Sequence, residues 1–304
     1  MKTIKVGGLL EASEISLGCW RIAKLEQSAA TRLVAAALEE GVDFFDNADI
    51  YGGGACEEIF GKAVRELGVR QRIKIQTKCG IRSGYYDFSK EHILTAVDGS
   101  LKRLAVDTID VLLLHRPDTL MEPDEVADAF NRLESAGKVR YFGVSNHNPG
   151  QMRLLQEYCG QKLIANQLQL SLTNATMIDA GLNVNMLHDP ALVRDGGILE
   201  YCRLHDITIQ AWSPLQYGVF EGTFMDNDGK FGPLNDKLEQ YAALKGVSKS
   251  AVAFAWLLRH PAKIQPITGT TDEGRLKSLC EASGVSLSRQ EWYDLYLSAG
   301  KKLP

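Results

Sequence analysis

Residues 44–52 read Phe44-Phe45-Asp46-Asn47-Ala48-Asp49-Ile50-Tyr51-Gly52, an apolar run that ends in a carboxylate and, five residues later, in a tyrosine followed by three glycines. A lone acid after a strand is ordinarily a turn former or a helix cap. The arrangement recurs, however. Gln76-Thr77-Lys78, Leu113-Leu114-His115 and Val144-Ser145-Asn146 each close an apolar strand with a polar group able to do chemistry. Four such ends in one chain suggest a shared rim.

Working outward from that stretch, the pattern predicts eight strand and helix units. A small hairpin over residues 3–10 precedes them and is expected to plug one end of the fold. Strands are read at Ile15–Cys19, Phe44–Asp46, Ile73–Thr77, Ile109–Leu114, Val139–Val144, Leu163–Asn166, Ile207–Ala211 and Ile264–Ile267. Helical periodicity falls between them at 28–40, 56–67, 89–104, 123–135, 149–159, 193–205, 234–258 and 272–282. A last helix at 288–298 should pack across the barrel or over its mouth. Strands that are near-continuous apolar runs are buried on both faces, so the chain is read as α/β, a closed (β/α)8 TIM barrel forming a single domain over 1–304. A doubly wound open sheet is the alternative. Two connections, 168–192 and 213–233, exceed the usual two to six residues and are expected to be binding loops.

Composition narrows the function. A formal net charge of -4, with Lys and Arg dispersed, offers no basic stripe for nucleic acid and no polybasic membrane patch. The start of the chain has no signal-peptide h-region, and no apolar segment is long enough to span a bilayer, which predicts a cytoplasmic protein with a small-molecule partner. Six scattered cysteines with no C-x-x-C pair indicate neither a zinc site nor a disulfide framework. Motifs for Rossmann, P-loop, zincin and α/β-hydrolase chemistry are absent.

In a parallel barrel the C-terminal strand ends open on one face, so Trp20, Asp46, Lys78, His115, Ser145, Asn146, Gln167 and Trp212 should converge. Asp46 would keep Lys78 charged. The lysine ammonium should lower the pKa of Tyr51 from its usual value of about 10 and make it a usable proton donor. His115 would orient a substrate oxygen, and Trp212 offers a flat face to a cofactor ring.

These residues resemble the aldo-keto reductases over nearly the whole chain, and most closely the bacterial YdhF-like oxidoreductases. The motifs that carry the resemblance are 44–52, Lys78-Cys79-Gly80, Leu114-His115-Arg116-Pro117-Asp118, 137–146, Asn166-Gln167 and Trp212-Ser213-Pro214-Leu215. The resemblance implies a barrel that binds NADPH or NADP+ and exchanges hydride with an aldehyde or ketone. It implies that Asp46, Tyr51, Lys78 and His115 form the catalytic tetrad, with Ser145, Asn146 and Gln167 holding the carboxamide. Trp212 would stack on nicotinamide, and Ser213, Pro214 and Leu215 would begin the loop over the pyrophosphate. Gly269, Thr270, Thr271 and Arg275 would receive the adenosine phosphate, with Arg275 also against adenine, and Trp20 would line the substrate pocket. Asn47 stands where the family commonly has Thr, and Gly269 where many members have Lys. Two rival readings are a Schiff-base aldolase using Lys78 and a nucleotide-sensing regulatory subunit with little turnover.

Overall fold

The protein is described by a computed structural model covering residues 1–219 and 221–304. Eight parallel strands close into a barrel: β3 (Ser16–Gly18), β4 (Phe44–Asp46), β5 (Lys74–Cys79), β6 (Ile109–Leu114), β7 (Val139–Ser145), β8 (Leu163–Gln169), β9 (Thr208–Trp212) and β10 (Gln265–Thr268). Each pairs with its sequence neighbours, and β10 returns to β3, with Ile267 opposite Ser16. The open sheet is excluded. The helices that cover the barrel are α1 (Gln27–Glu39), α2 (Ala55–Leu67), α3 (Lys90–Leu104), α4 (Pro123–Ser135), α5 (Pro149–Tyr158), α6 (Thr176–Leu182), α7 (Ile198–Leu204), α8 (Asp228–Lys245), α9 (Lys249–Leu258), α10 (Glu273–Cys280) and α11 (Arg289–Ser298).

The N-terminal hairpin, β1 (Thr3–Val6) and β2 (Leu10–Ser13), closes the end opposite the rim. Val6 and Ala12 pack against Phe44, Val111, Leu113, Ile164 and Ala165 inside the barrel. At the hairpin turn the Gly7 N–H donates to Thr208 Oγ1 at 2.9 Å. A Cβ on Gly7 would come within 2.3 Å of Ile164 Cβ, so the turn can seat this deeply only with glycine.

Four sequence expectations need correction. The run 234–258 is two helices, because Gly246 takes φ 67° and ends α8, and the Ser248 side chain accepts the Ala251 N–H to start α9. A kink at Phe231, with φ -132°, separates the expected helix from a short helical turn that starts at Asp228 within the 213–233 connection; Phe220 of that connection lies outside the described residues. Helix α7 starts only at Ile198, since Gly196 and Gly197 both have positive φ, while the 168–192 connection contains α6. The last helix does not cross the mouth. It lies on the flank of the shell, where Trp292 stacks on Trp256 of α9 at 4.8 Å and each indole N–H donates to the other residue's carbonyl. Tyr241 of α8 and Tyr296 complete that seam by donating to Asp294 and Asp179.

Among the described residues no helix is long and apolar enough to cross a membrane, and no group of three or more His, Cys, Asp or Glu is placed to hold a metal ion. All six cysteines are free and buried.

Candidate active site

Strand β5 sets the site through its alternation. Gln76 and Lys78 point into the barrel, while Thr77 between them points out to α2 and donates to Glu57 Oε1 at 2.5 Å. Lys78 is completely buried, and an ammonium there needs an acceptor for each of its three hydrogens. It has them: Asp46 at 2.8 Å, the Asn47 carbonyl at 2.8 Å and Tyr51 Oη at 3.1 Å. Burial alone would push the Lys78 pKa down, but the Asp46 carboxylate and the Tyr51 oxygen outweigh it and hold the pKa above its ordinary value.

Tyr51 reaches this lysine because the chain makes a tight turn after β4. The Asp49 N–H donates to the Lys78 carbonyl, and Gly52, Gly53 and Gly54 all take positive φ before α2 begins. Side chains with a Cβ rarely adopt three such residues in succession. The expectation that Lys78 lowers the Tyr51 pKa is corrected in its net direction. Burial is the largest influence and raises the pKa above 10, Lys78 offsets part of that, and Asp46 adds to it. The phenol is therefore a firmly protonated donor.

His115 follows β6 and sits edge-on to the Tyr51 ring, with centroids 5.8 Å apart. Burial, then the Lys78 and Arg116 charges, hold its pKa well below 6.5, so the imidazole is neutral. Its Nδ1 is buried without a partner. On the other side of Tyr51, Trp20 has its ring centroid 6.4 Å away and is 43% exposed. The three rings form a row from the barrel interior to solvent.

Beneath the row lies a feature that the sequence reading missed. Asp46 accepts from Gln76 at 2.6 Å and from Gln167 at 3.0 Å. Gln76 also donates to Gln210, Gln210 to Gln265, and Gln265 to the Ser13 carbonyl. Register explains the ladder: Gln167 lies opposite Gln210, Gln210 opposite Gln265, and Asp46 opposite Gln76. The signal was present as glutamine recurring in four otherwise apolar strands. Also unread were Glu57, fully buried between Thr77 and Arg103, and Asp49, whose pKa rises to about 7 through burial and the nearby Glu57 charge.

The opposite side of the rim is looser. Ser145 Oγ donates to the Gln167 carbonyl at 3.0 Å and accepts from Asn146 Nδ2 at 2.8 Å, while Asn146 Oδ1 accepts the Trp212 indole N–H at 3.2 Å. Asn146 and Ser213 have φ of 60° and 50°, a conformation that is costly for residues other than glycine and that gathers at functional sites. Pro214 and Leu215 open the long loop, which is pinned where the Leu215 carbonyl accepts the Phe224 N–H.

Gly269 follows β10 and its carbonyl accepts from Arg21, whose guanidinium lies 5.0 Å from the Trp20 ring centroid. The start of α10 differs from expectation. Thr270 Oγ1 accepts the Asp272 N–H, Thr271 is half-buried, and Asp272 caps the helix by accepting the Arg275 N–H at 2.7 Å. A carboxylate thus already occupies the helix terminus expected to receive an anion. The Arg275 side chain is exposed and makes no ion pair among the described residues.

The sequence profile of the Aldo/keto reductase family matches residues 14–296, and the chain belongs to this family of oxidoreductases. It is 36% identical to a 6-dehydroglucose reductase of Agrobacterium fabrum, with the alignment covering 100% of both chains. It is 37% identical to the oxidoreductase YdhF of Escherichia coli, over 95% of this chain and 94% of that one. An aldo/keto reductase of Klebsiella pneumoniae, solved in complex with NADP and acetate, superposes with a TM-score of 0.74 at 24% identity, over 97% of this chain and 94% of that one.

Proposed function

We propose that this protein reduces an aldehyde or ketone to an alcohol with NADPH, Tyr51 donating the proton to the carbonyl oxygen. The observation that carries the proposal is the buried Lys78 ammonium, saturated by Asp46, the Asn47 carbonyl and Tyr51 Oη at the mouth of the barrel. As carbonyl oxygen gains negative charge, a phenol beside a fixed cation can give up its proton in place, because the ammonium stabilises the phenolate left behind. Asp46 keeps the lysine charged, and the neutral His115 can donate one hydrogen bond that fixes the angle of the carbonyl. The same saturation argues against a Schiff-base role, since an ammonium held by three acceptors has no lone pair for attack.

The rim fits a dinucleotide on its own residues. Asn146 and Ser213 hold strained backbone after β7 and β9, on either side of β8, and the Trp212 ring is tethered through its N–H with the Arg116 guanidinium 5.8 Å from its centroid. We assign Trp212 to the nicotinamide, Ser145, Asn146 and Gln167 to its carboxamide, Ser213 to Leu215 to the pyrophosphate, and Gly269, Thr270, Thr271 and Arg275 to the adenosine end. The bound cofactor supplies the hydride. Trp20 lines the entry for substrate, and the name of the Agrobacterium relative makes a polyhydroxylated aldehyde the first compound to try.

The test is oxidation of NADPH, followed by its absorbance, against a panel of aldehydes, ketones and sugar aldehydes. Turnover of at least one carbonyl is expected. Cofactor binding, seen by fluorescence, with no turnover across the panel would favour a sensing role and overturn the proposal.

A further inference from the structure

A pocket of about 410 Å³, open to solvent on one side, lies in the helical shell, lined by α6, α7, the end of α9 and α11. None of the strand ends that form the rim lines it. Its charge is unusual for a chain whose formal net charge is -4. Arg203, Arg259 and Arg289 all line it, and none forms an ion pair with a carboxylate among the described residues. Glu200 is the one acid in the lining, which leaves three guanidiniums against one carboxylate. Arg259 spends its Nε on the Leu287 carbonyl at 2.8 Å, so its terminal amino groups remain available.

His260 adds a donor. Its Nδ1 accepts the Ala262 N–H, which puts the hydrogen of a neutral ring on Nε2. The ring is kept neutral because burial, with the Arg203 and Arg259 charges adding to it, pushes its pKa down to about 4. Trp292 has given its indole N–H to Trp256 and is stacked by Trp256 and Tyr296, so the accessible apolar surface comes from the half-buried Leu182 and Tyr293. The lining therefore combines an excess of cationic donors with apolar surface, in a volume typical of small-ligand sites.

We propose that this cavity binds a small organic dianion, a phosphate monoester or a dicarboxylate, with its apolar part towards Leu182 and Tyr293. Planar guanidiniums match the oxygen pairs of both groups, and a dianion would cancel the local excess of positive charge. Because the arginines are exposed, binding should weaken as salt screens them.

Isothermal titration with phenyl phosphate and, separately, phthalate tests this at low salt and with saturating NADP+, which keeps anion subsites of the rim engaged. One saturable site is expected, weakened at least ~10-fold in the double variant Arg203→Gln, Arg289→Gln. Both side chains are exposed, so the variant should melt and turn over carbonyls as the wild type does. Tighter phenyl phosphate assigns a phosphate monoester, and tighter phthalate a dicarboxylate. No saturable binding of either probe, or equal binding by the double variant, overturns the proposal. The readout needs no turnover, so it fails or succeeds independently of the reductase reading.

Discussion

The two halves of the rim are built differently. On the β4–β6 side every hydrogen of the buried ammonium is satisfied, and the carboxylate beside it is held by two glutamines as well. On the β7–β10 side neutral Ser145, Asn146 and Trp212 are joined by uncharged hydrogen bonds over strained backbone, and the Arg275 side chain is exposed. The first half is preorganised for charge that develops during a reaction; the second is left with capacity to spend on a ligand. Gln167 joins them. Its amide donates to Asp46, so holding a carboxamide would require it to use its oxygen or to exchange partners.

Breaking the satisfied half should have the largest effect. Lys78→Met would leave Asp46 buried with only amide donors. We expect loss of carbonyl reduction by ~10³-fold or more, together with destabilisation of about 3 kcal/mol, the cost of stranding a buried charge. Steady-state kinetics and urea denaturation check both. Wild-type stability of the variant would mean that the Lys78–Asp46 contact contributes nothing to folding.

Tyr51→Phe removes the acid but keeps the ring, so we expect a loss of at least ~10² in turnover with NADPH affinity nearly unchanged. Because Tyr51 and Lys78 are both raised and His115 is lowered, none of the three changes charge near neutrality. These three therefore supply no ionisation to the rate between about pH 6.5 and 9, and any inflection there should come from Asp49, at about 7, and vanish in Asp49→Asn. An inflection that persists in that variant would point to another acid.

The looser half should respond more mildly. Arg275→Ala is expected to weaken NADPH binding ~10-fold and to leave NADH unaffected, about 1.4 kcal/mol. Asp272 at the helix start and Glu273 beside it limit the preference, since they bring negative charge to the place proposed for a phosphate. Fluorescence titration with both cofactors decides it, and equal loss for the two would remove Arg275 from the phosphate.

The barrel, its plug and the convergence of Asp46, Tyr51, Lys78 and His115 were legible because each rests on a local pattern: apolar runs that end in one polar residue and glycines where the chain must turn. The glutamine ladder was not, since it depends on register between strands as distant as β4 and β8. The direction of the Tyr51 shift was also hidden. Sequence shows that a lysine is near, but only depth tells whether desolvation or the ammonium wins. The stacked Trp256 and Trp292 could not be paired by spacing either, and that pairing carries α11 to the flank rather than the mouth.

The smallest effect expected comes from behind the satisfied half, at Asp49. One of its carboxylate oxygens is buried without a partner, and its pKa stands at about 7 against 3.8 for a free aspartate. Burial comes first among the causes and the Glu57 charge second, while Arg103 and Lys78 pull the other way. A raised carboxyl pKa means that the folded state holds the proton more tightly than the unfolded chain. Stability is therefore highest below the unfolded value, near pH 4, and is lost as pH rises towards 7. Asp49→Asn keeps the shape and the neutral state at every pH. The variant should match the wild type near pH 3.5 and exceed it at pH 8 by about 1–2 kcal/mol once partial exposure is allowed for, or roughly 2–4 °C in melting temperature. Thermal melts of both proteins at the two pH values test this. A difference between variant and wild type that does not change with pH would show that Asp49 ionises normally.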